Sequence, residues 1–293
     1  MATPGESSEF TPERLEDAFT KAGIHAEIHV LDPATTEKMV RAALGAQPRP
    51  GVIVVGGGDG TVSSVAGLLA DSGVPMGVLP VGTLNHFAKD LGIPADLENW
   101  LALLVSRHIR KVDVGEVNGR VFINNCSIGA YPEAVRRREQ LRRTAGHGKW
   151  WAMSVATLEV MRRVRRLRVQ IQVDDQSFSR RTPFVVIGCN RYTGHLFSAS
   201  LRARMDEGRL WLYTTRAHRF LPLLRLAFRA LVGRIDRADD FESRSGQRIK
   251  LMVQGGEVAV AADGEVWRLR LPLELRIRAG ALLVIAPPPP VVT

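Results

Sequence analysis

The sequence predicts an α/β fold in two parts: an N-terminal parallel-sheet α/β domain over residues 1–108, then a C-terminal antiparallel β-sandwich domain over residues 109–293. Three observations carry this. The first part alternates short apolar strands with helical patterns, the rhythm of a parallel sheet covered on both faces. From about Lys111 the rhythm changes to longer runs with period-two alternation, several joined by Asn-Gly or Asp-Gly pairs suited to tight hairpins. A chain of 293 residues with 45% hydrophobic content can bury one large core or two moderate ones.

In order, the first part reads as a helix over 11–21, a strand HAEIHVL at 25–31, a helix over 35–44, the strand VIVV at 52–55, a helix from Thr61 and the strand MGVLP at 76–80. VIVV is apolar on both sides, as burial between two helical layers requires. The second part reads as strands in VDVGEVNGRVFIN (112–124), LRVQIQV (167–173), PFVVIGCN (183–190), RLWLYTT (209–215), RIKLMV (248–253), EVAVAADGEVWRLRL (257–271) and ALLVIA (281–286). Helical interludes are expected at about 132–163 and 219–233. The tail PPPPVVT cannot join a central strand and is expected to be a loose end.

Composition narrows the chemistry. A formal net charge of +10 favours anionic partners, whether nucleic acid, lipid headgroups or phosphorylated substrates. Cys126 and Cys189 lack metal-ligand spacing and read as small buried hydrophobes in a reducing compartment. No stretch resembles a signal peptide, and none reaches the roughly 18 uninterrupted apolar residues of a spanning helix, so a cytoplasmic protein is expected.

The most informative stretch is VIVVGGGDGTVSSVAG, residues 52–67. A strand ending in consecutive glycines leaves main-chain N–H groups uncovered by any Cβ, and a helix start turns its positive end to the same space; phosphate suits both. Asp59 would repel a phosphate unless a cation such as Mg²⁺ lay between them, so the stretch reads as a metal-nucleotide cradle. Neither common phosphate loop fits, because Thr61 stands where a dinucleotide fingerprint needs glycine and no Lys follows as in a Walker loop. The alternative is a plain strand-to-helix turn. Against it, the next strand ends in the same style, VLPVGTLNHFAKDLGIP at 78–94, bringing Thr83 and Asn85 toward Thr61 at the strand tips where open α/β sheets bind ligands.

GGDGT at 57–61 followed by PVGTLNHFAKDLGIP at 80–94 resembles the diacylglycerol kinase catalytic domain family, which includes bacterial lipid kinases and sphingosine kinases. The likeness continues through VDVGEVNGRVFINNCSIGAYP (112–132), GCNRY (188–192) and AADGE (261–265), from about residue 50 onward. The resemblance implies a nucleotide-binding domain and a β-sandwich lipid-substrate domain with the active site in the cleft between them, and a final segment that returns to the first domain. It implies transfer of the γ-phosphoryl group of ATP, with Mg²⁺, to a lipid hydroxyl, diacylglycerol giving phosphatidic acid first among acceptors and a sphingoid base or other lipid alcohol as the alternative. Gly57, Gly58, Asp59, Gly60 and Thr61 would hold phosphates and metal, with Asp59 the metal ligand; Gly82, Thr83 and Asn85 would complete the nucleotide site. Asp263 would be the general base, and Glu265 would orient the metal or Asp263. From the residues alone, Asp263-Gly264 reads equally as a hairpin turn.

The chain departs from the family in three places. The strand with which the family usually opens is not expected before the first helix, Val62, Ser63 and Ser64 replace the frequent Leu-Asn-Glu, and Asn85-His86 replaces the usual Asn-Asp. A lipid acceptor also implies an anionic membrane surface as partner, at the inner face of the membrane. Residues 133–168 carry eleven Arg and Lys (Arg136 to Arg168) around Trp150 and Trp151, which suits that surface, and RFLPLLRLAFRALVGR at 219–234 has the pattern of an interfacial helix. The other readings are a soluble acceptor as in NAD kinases, which share Gly-Gly-Asp-Gly-Thr, and a non-catalytic lipid- or nucleic-acid-binding protein. No nucleic-acid motif supports the last.

Overall fold

The computed structural model describes residues 10–82, 84–129, 166–192, 202, 204–215 and 241–289. The expected helices at 132–163 and 219–233 lie outside the described residues. In chain order the elements are α1 (Pro12–Lys21), α2 (Pro33–Gly45), β1 (Ile53–Gly56), α3 (Asp59–Leu69), β2 (Met76–Leu79), α4 (His86–Leu91), α5 (Leu97–Ser106), β3 (Ile109–Val117), β4 (Arg120–Phe122) and β5 (Asn125–Gly129). There follow β6 (Leu167–Val173), β7 (Gln176–Thr182), β8 (Phe184–Cys189), β9 (Leu210–Thr215), β10 (Phe241–Gly246), β11 (Arg248–Met252), β12 (Glu257–Ala262), β13 (Glu265–Arg270) and β14 (Leu273–Ile285). The chain divides into two compact units, Met1–Val112 with Gly280–Thr293, and Asp113–Ala279.

In the first unit α1, α2 and α5 start where side chains can satisfy their first N–H groups. Thr11 accepts from the Arg14 N–H at 3.3 Å, Asp32 from Thr35 at 2.8 Å and Asp96 from Asn99 at 2.9 Å. The main-chain N–H of Asn99 also holds the Asp96 carboxyl below the usual carboxylate range. β1 and β2 pair in parallel from Ile53↔Met76 to Gly56↔Leu79, and β14 joins β2 in parallel at Val284↔Met76. α3 covers this sheet with Val62, Val65, Ala66 and Leu69. Trp100 of α5 is buried, donates its indole N–H to the Val78 carbonyl at 2.8 Å and meets Phe10 edge-on.

The strand expected at 25–31 is not formed: these residues belong to no strand, and Val30 is 85% exposed. Alternation becomes a strand only when a neighbour accepts its hydrogen bonds and one face is buried. α3 begins at Asp59, two residues before the expected Thr61.

The second unit is an antiparallel sandwich, as the alternation predicted. One sheet runs β10-β9-β8-β5-β12-β13, every neighbouring pair antiparallel. Facing it, the first part of β14 pairs with β11, β11 with β6 and β6 with β7, again antiparallel. The inward residues of both sheets form one cluster in which Ile187, Leu212 and Val260 from the first pack with Ile171, Ile249 and Leu251 from the second. Cys126 and Cys189 lie in the same cluster as free buried thiols.

Candidate functional site

Two loops of the first unit meet where the glycine motifs predicted. A Cβ on Gly82 would stand 2.8 Å from the Gly58 Cα, 2.9 Å from the Gly57 carbonyl oxygen and 2.7 Å from Asn85 Oδ1, so the loops after β1 and β2 approach this closely only because Gly82 has no side chain. At Gly57 a Cβ would meet the Thr61 side chain at 2.9 Å, whereas one at Gly58 would meet nothing among the described residues within 4 Å. Gly58 thus faces open space at the start of α3, with Asp59, Gly60 and Thr61 in the first turn.

Asp59 ties the loops together: its Oδ1 accepts from the Phe87 N–H at 3.3 Å. Asn85 caps α4 in the left-handed region at φ 51°, and its Nδ2 donates to the Pro80 carbonyl at 2.8 Å, folding the second loop back on itself. Gly57, Gly58, Asp59, Gly60, Thr61, Gly82 and Asn85 therefore share one loop pair. Thr83 lies outside the described residues.

Asp263 and Glu265 belong to the second unit. Asp263-Gly264 joins β12 to β13 with φ of 46° and 91°, the pair of positive values that a two-residue hairpin turn demands. The Asp263 side chain does more than shape the turn. Its carboxylate accepts from three consecutive main-chain N–H groups between β4 and β5: Ile123 to Oδ2 at 2.7 Å, and Asn124 and Asn125 to Oδ1 at 3.0 Å each. A carboxylate has roughly four lone-pair sites, so the main chain takes most of its acceptor capacity and fixes its orientation. Glu265 is exposed, and its Oε2 accepts from the Trp267 indole N–H at 3.1 Å.

The residues behind Asp263 were not visible in the sequence. Arg202 is 3% exposed; its Nη1 donates to the carbonyls of Ile123 at 2.7 Å and Cys189 at 2.9 Å, and its Nη2 to Asn124 Oδ1 at 2.9 Å. Tyr192 lies beside it, the guanidinium carbon 5.6 Å from the ring centre, and the Tyr192 hydroxyl accepts from Asn125 Nδ2 at 3.4 Å. The adjacent Asn125 of Asn124-Asn125 was inside a quoted motif, but a buried arginine in the Arg-rich run LRARMDEGR reads as surface. Burial pushes the Cys189 thiol up to about 12; Arg202 opposes the rise, and the Asp113 and Asp263 carboxylates add to it. Cys126 is pushed up further, by burial and then Asp263.

Among the described residues no group of three or more His, Cys, Asp and Glu side chains forms a metal cage, and no helix is long and apolar enough to cross a membrane. The basic segment at 133–168, apart from its last three residues, and the helix expected at 219–234 lie outside the described residues.

Comparison with known proteins bears on the fold and the family. The diacylglycerol kinase catalytic domain matches residues 2–117, reaching further toward the N-terminus than the motifs alone, and the YegS C-terminal NAD kinase beta sandwich-like domain matches residues 125–286. The chain is 26% identical over 198 residues to a diacylglycerol kinase of Staphylococcus saprophyticus, covering 67% of this chain and 62% of that one. It is also 26% identical over 215 residues to a diacylglycerol kinase of Staphylococcus aureus, covering 70% of this chain and 66% of that one. The alignments thus span two-thirds or less of these curated relatives. A crystal structure of a diacylglycerol kinase from Bacillus anthracis str. Sterne has the same fold, with a TM-score of 0.67 at 19% identity over 96% of this chain and 90% of that one. The YegS C-terminal NAD kinase beta sandwich-like domain spans more than half of the chain, which therefore belongs to that family, and the diacylglycerol kinase catalytic domain matches the part that precedes it.

Proposed function

We propose that this chain is an ATP- and Mg²⁺-dependent lipid kinase that transfers the γ-phosphoryl group to a lipid hydroxyl, diacylglycerol first among acceptors, at the inner face of a membrane. The observation that carries the reading is the carboxylate of Asp263, held by the three main-chain N–H groups of Ile123, Asn124 and Asn125. A lipid alcohol is a poor nucleophile, and a carboxylate locked in one orientation can accept its proton as attack proceeds. A turn needs only the backbone of Asp-Gly; it does not need the side chain anchored on a neighbouring loop.

The first unit supplies a fit for nucleotide phosphates. The would-be Cβ of Gly58 meets no atom of the described residues within 4 Å, which leaves room beside the N-terminus of α3 for an anion to approach the main chain. Gly57 and Gly82 let the two loops pack closely, Thr61 offers a hydroxyl beside Gly57, and Asn85 braces the second loop. Mg²⁺, when bound, would be held by Asp59 together with phosphate oxygens and water and would offset phosphoryl charge, a donor set that suits an ion bound by one or two carboxylates. Glu265, exposed on the hairpin of Asp263, is the carboxylate we propose to orient Asp263.

The membrane part rests on residues 133–168, where each basic side chain near an anionic leaflet contributes about 1 kcal/mol. The expected partner order is anionic vesicles over duplex DNA at equal salt, read by co-sedimentation; equal binding to both would remove the membrane from the proposal.

The deciding experiment is transfer of radiolabelled γ-phosphate from ATP with Mg²⁺ to a panel of lipid alcohols in mixed micelles, with NAD as the soluble acceptor. Label in diacylglycerol or a sphingoid base supports the proposal and names the acceptor. Label in NADP moves the activity to a soluble acceptor, and label nowhere with a folded protein leaves a non-catalytic lipid-binding protein.

A further inference from the structure

We infer that Arg202 is a positioning residue for Asp263, acting through the peptide unit that joins Ile123 to Asn124. The inference rests on the reading of Asp263 as proton acceptor. In that one peptide unit the Ile123 carbonyl accepts from Arg202 Nη1 at 2.7 Å while the Asn124 N–H donates to Asp263 Oδ1 at 3.0 Å. A cation at the oxygen end and an anion at the nitrogen end polarise the same amide in the same sense, so each hydrogen bond strengthens the other. The arrangement is a fixed chain of guanidinium, peptide and carboxylate; no proton moves along it.

Arg202 holds this peptide unit at more than one point. Its Nη2 grips Asn124 Oδ1 at 2.9 Å, and its second Nη1 bond goes to the Cys189 carbonyl, whose own N–H donates to the Asn124 carbonyl at 2.9 Å. Residues 123–125 are therefore held on their carbonyl and side-chain sides by Arg202, Cys189 and Tyr192, while their N–H groups present a cradle to Asp263. A point charge such as Lys cannot span three acceptors with a planar fork, so the guanidinium geometry matters as well as the charge.

This places Arg202 in an ordering role at the proton acceptor rather than at the substrate. A carboxylate displaced by about 1 Å costs on the order of 10²-fold in turnover. Loss of Arg202 should therefore lower kcat and leave nucleotide affinity alone, because the glycine loops belong to the other unit of the chain.

The test uses the full chain, ATP with Mg²⁺ and diacylglycerol in mixed micelles. Arg202→Met is expected to lower kcat on the order of 10²-fold with KM for ATP within about twofold, and Arg202→Lys to recover part of the loss. The double variant Arg202→Met/Asp263→Asn should turn over no more slowly than Asp263→Asn alone, since groups that act as a unit are not additive. Amide hydrogen exchange should quicken at Ile123, Asn124 and Asn125 in Arg202→Met and stay unchanged at Val186 and Leu212 in the sandwich core. Unchanged kcat in Arg202→Met, losses that multiply in the double variant, or exchange that quickens equally across the core would each overturn the inference and leave Arg202 a packing residue. Failure of both Arg202 variants to fold would do the same. If instead Asp263→Asn keeps wild-type turnover, the proton-acceptor reading falls first and takes this inference with it, an outcome distinct from the others.

Discussion

Asp263 and Asn125 are hydrogen-bonded in both directions: the Asn125 N–H donates to Asp263 Oδ1 at 3.0 Å, and the Asp263 N–H donates to the Asn125 carbonyl at 3.1 Å. The backbone half of this pair belongs to the hairpin and survives any side chain that tolerates the left-handed region. The carboxylate half does not. Asp263→Asn keeps the turn, since Asn accepts positive φ, but sets an NH₂ group against a main-chain N–H. It should lower kcat by about 10²–10⁴-fold and cost about 1–3 kcal/mol of stability, measured by single-turnover label transfer and thermal melting. Melting that falls while kcat holds would make Asp263 a turn residue only.

Gly82 and Gly58 separate structure from ligand. Gly82→Ala forces a methyl within 3 Å of the Gly58 Cα and the Gly57 carbonyl, an overpacking worth about 1–3 kcal/mol. Both melting temperature and ATP affinity should fall. Gly58→Ala meets nothing among the described residues, so stability should hold while ATP affinity drops about tenfold or more, because the new methyl stands where phosphate would approach. Calorimetric titration that finds full affinity in Gly58→Ala would move the phosphates elsewhere.

Asp59→Asn preserves an acceptor for the Phe87 N–H and deletes the charge. Nucleotide binding with Mg²⁺ should weaken by about tenfold or more, while binding in EDTA stays the same or tightens, since the bare phosphates no longer face a carboxylate. Equal weakening with and without Mg²⁺ would take Asp59 out of the metal site.

The two thiols give the fold a signature at high pH. Burial raises Cys189 from 9.0 to about 12 and Cys126 further in the same direction, so the folded values lie above the unfolded ones. The thiols' stabilisation is complete below pH 9 and is lost as pH climbs from there toward 12, because the unfolded chain then sheds protons that the folded chain keeps. Each thiol should cost about 1.4 kcal/mol per pH unit in that window. Melting temperature should drop between pH 8.5 and roughly 10.5, and a Cys126→Ala/Cys189→Ala variant should show a shallower decline.

Much of this was legible in the residues because local chemistry and long-range structure agreed. VIVV, the glycines after it and Asp-Gly at 263–264 each permit few conformations, and each is found in the one expected. HAEIHVL had strand-like alternation but pairs with no strand among the described residues, and alternation alone cannot supply one. β7 and β10 went unnoticed for the opposite reason: QSFSRRT and FESRSG are polar edge strands held by main-chain pairing to β6 and β9, which leaves little hydrophobic pattern to read. Arg202 was hidden because its acceptors are 78 and 79 residues away for Asn124 and Ile123, and only the fold brings them together.

β14 has a consequence for the order of events in a cell. Its residues from Gly280 belong to the first unit, where Val284 pairs with Met76 of β2, yet they are translated after every other strand. Until they emerge, β2 lacks its second neighbour, and the glycine loops hang from a two-stranded ribbon that is marginal by itself. The described strands of the sandwich, including the first part of β14, are all made before then. Newly made chains should thus pass through an interval in which the later-encoded unit is nearly finished and the earlier-encoded one still shows an open sheet edge, the species most exposed to self-association.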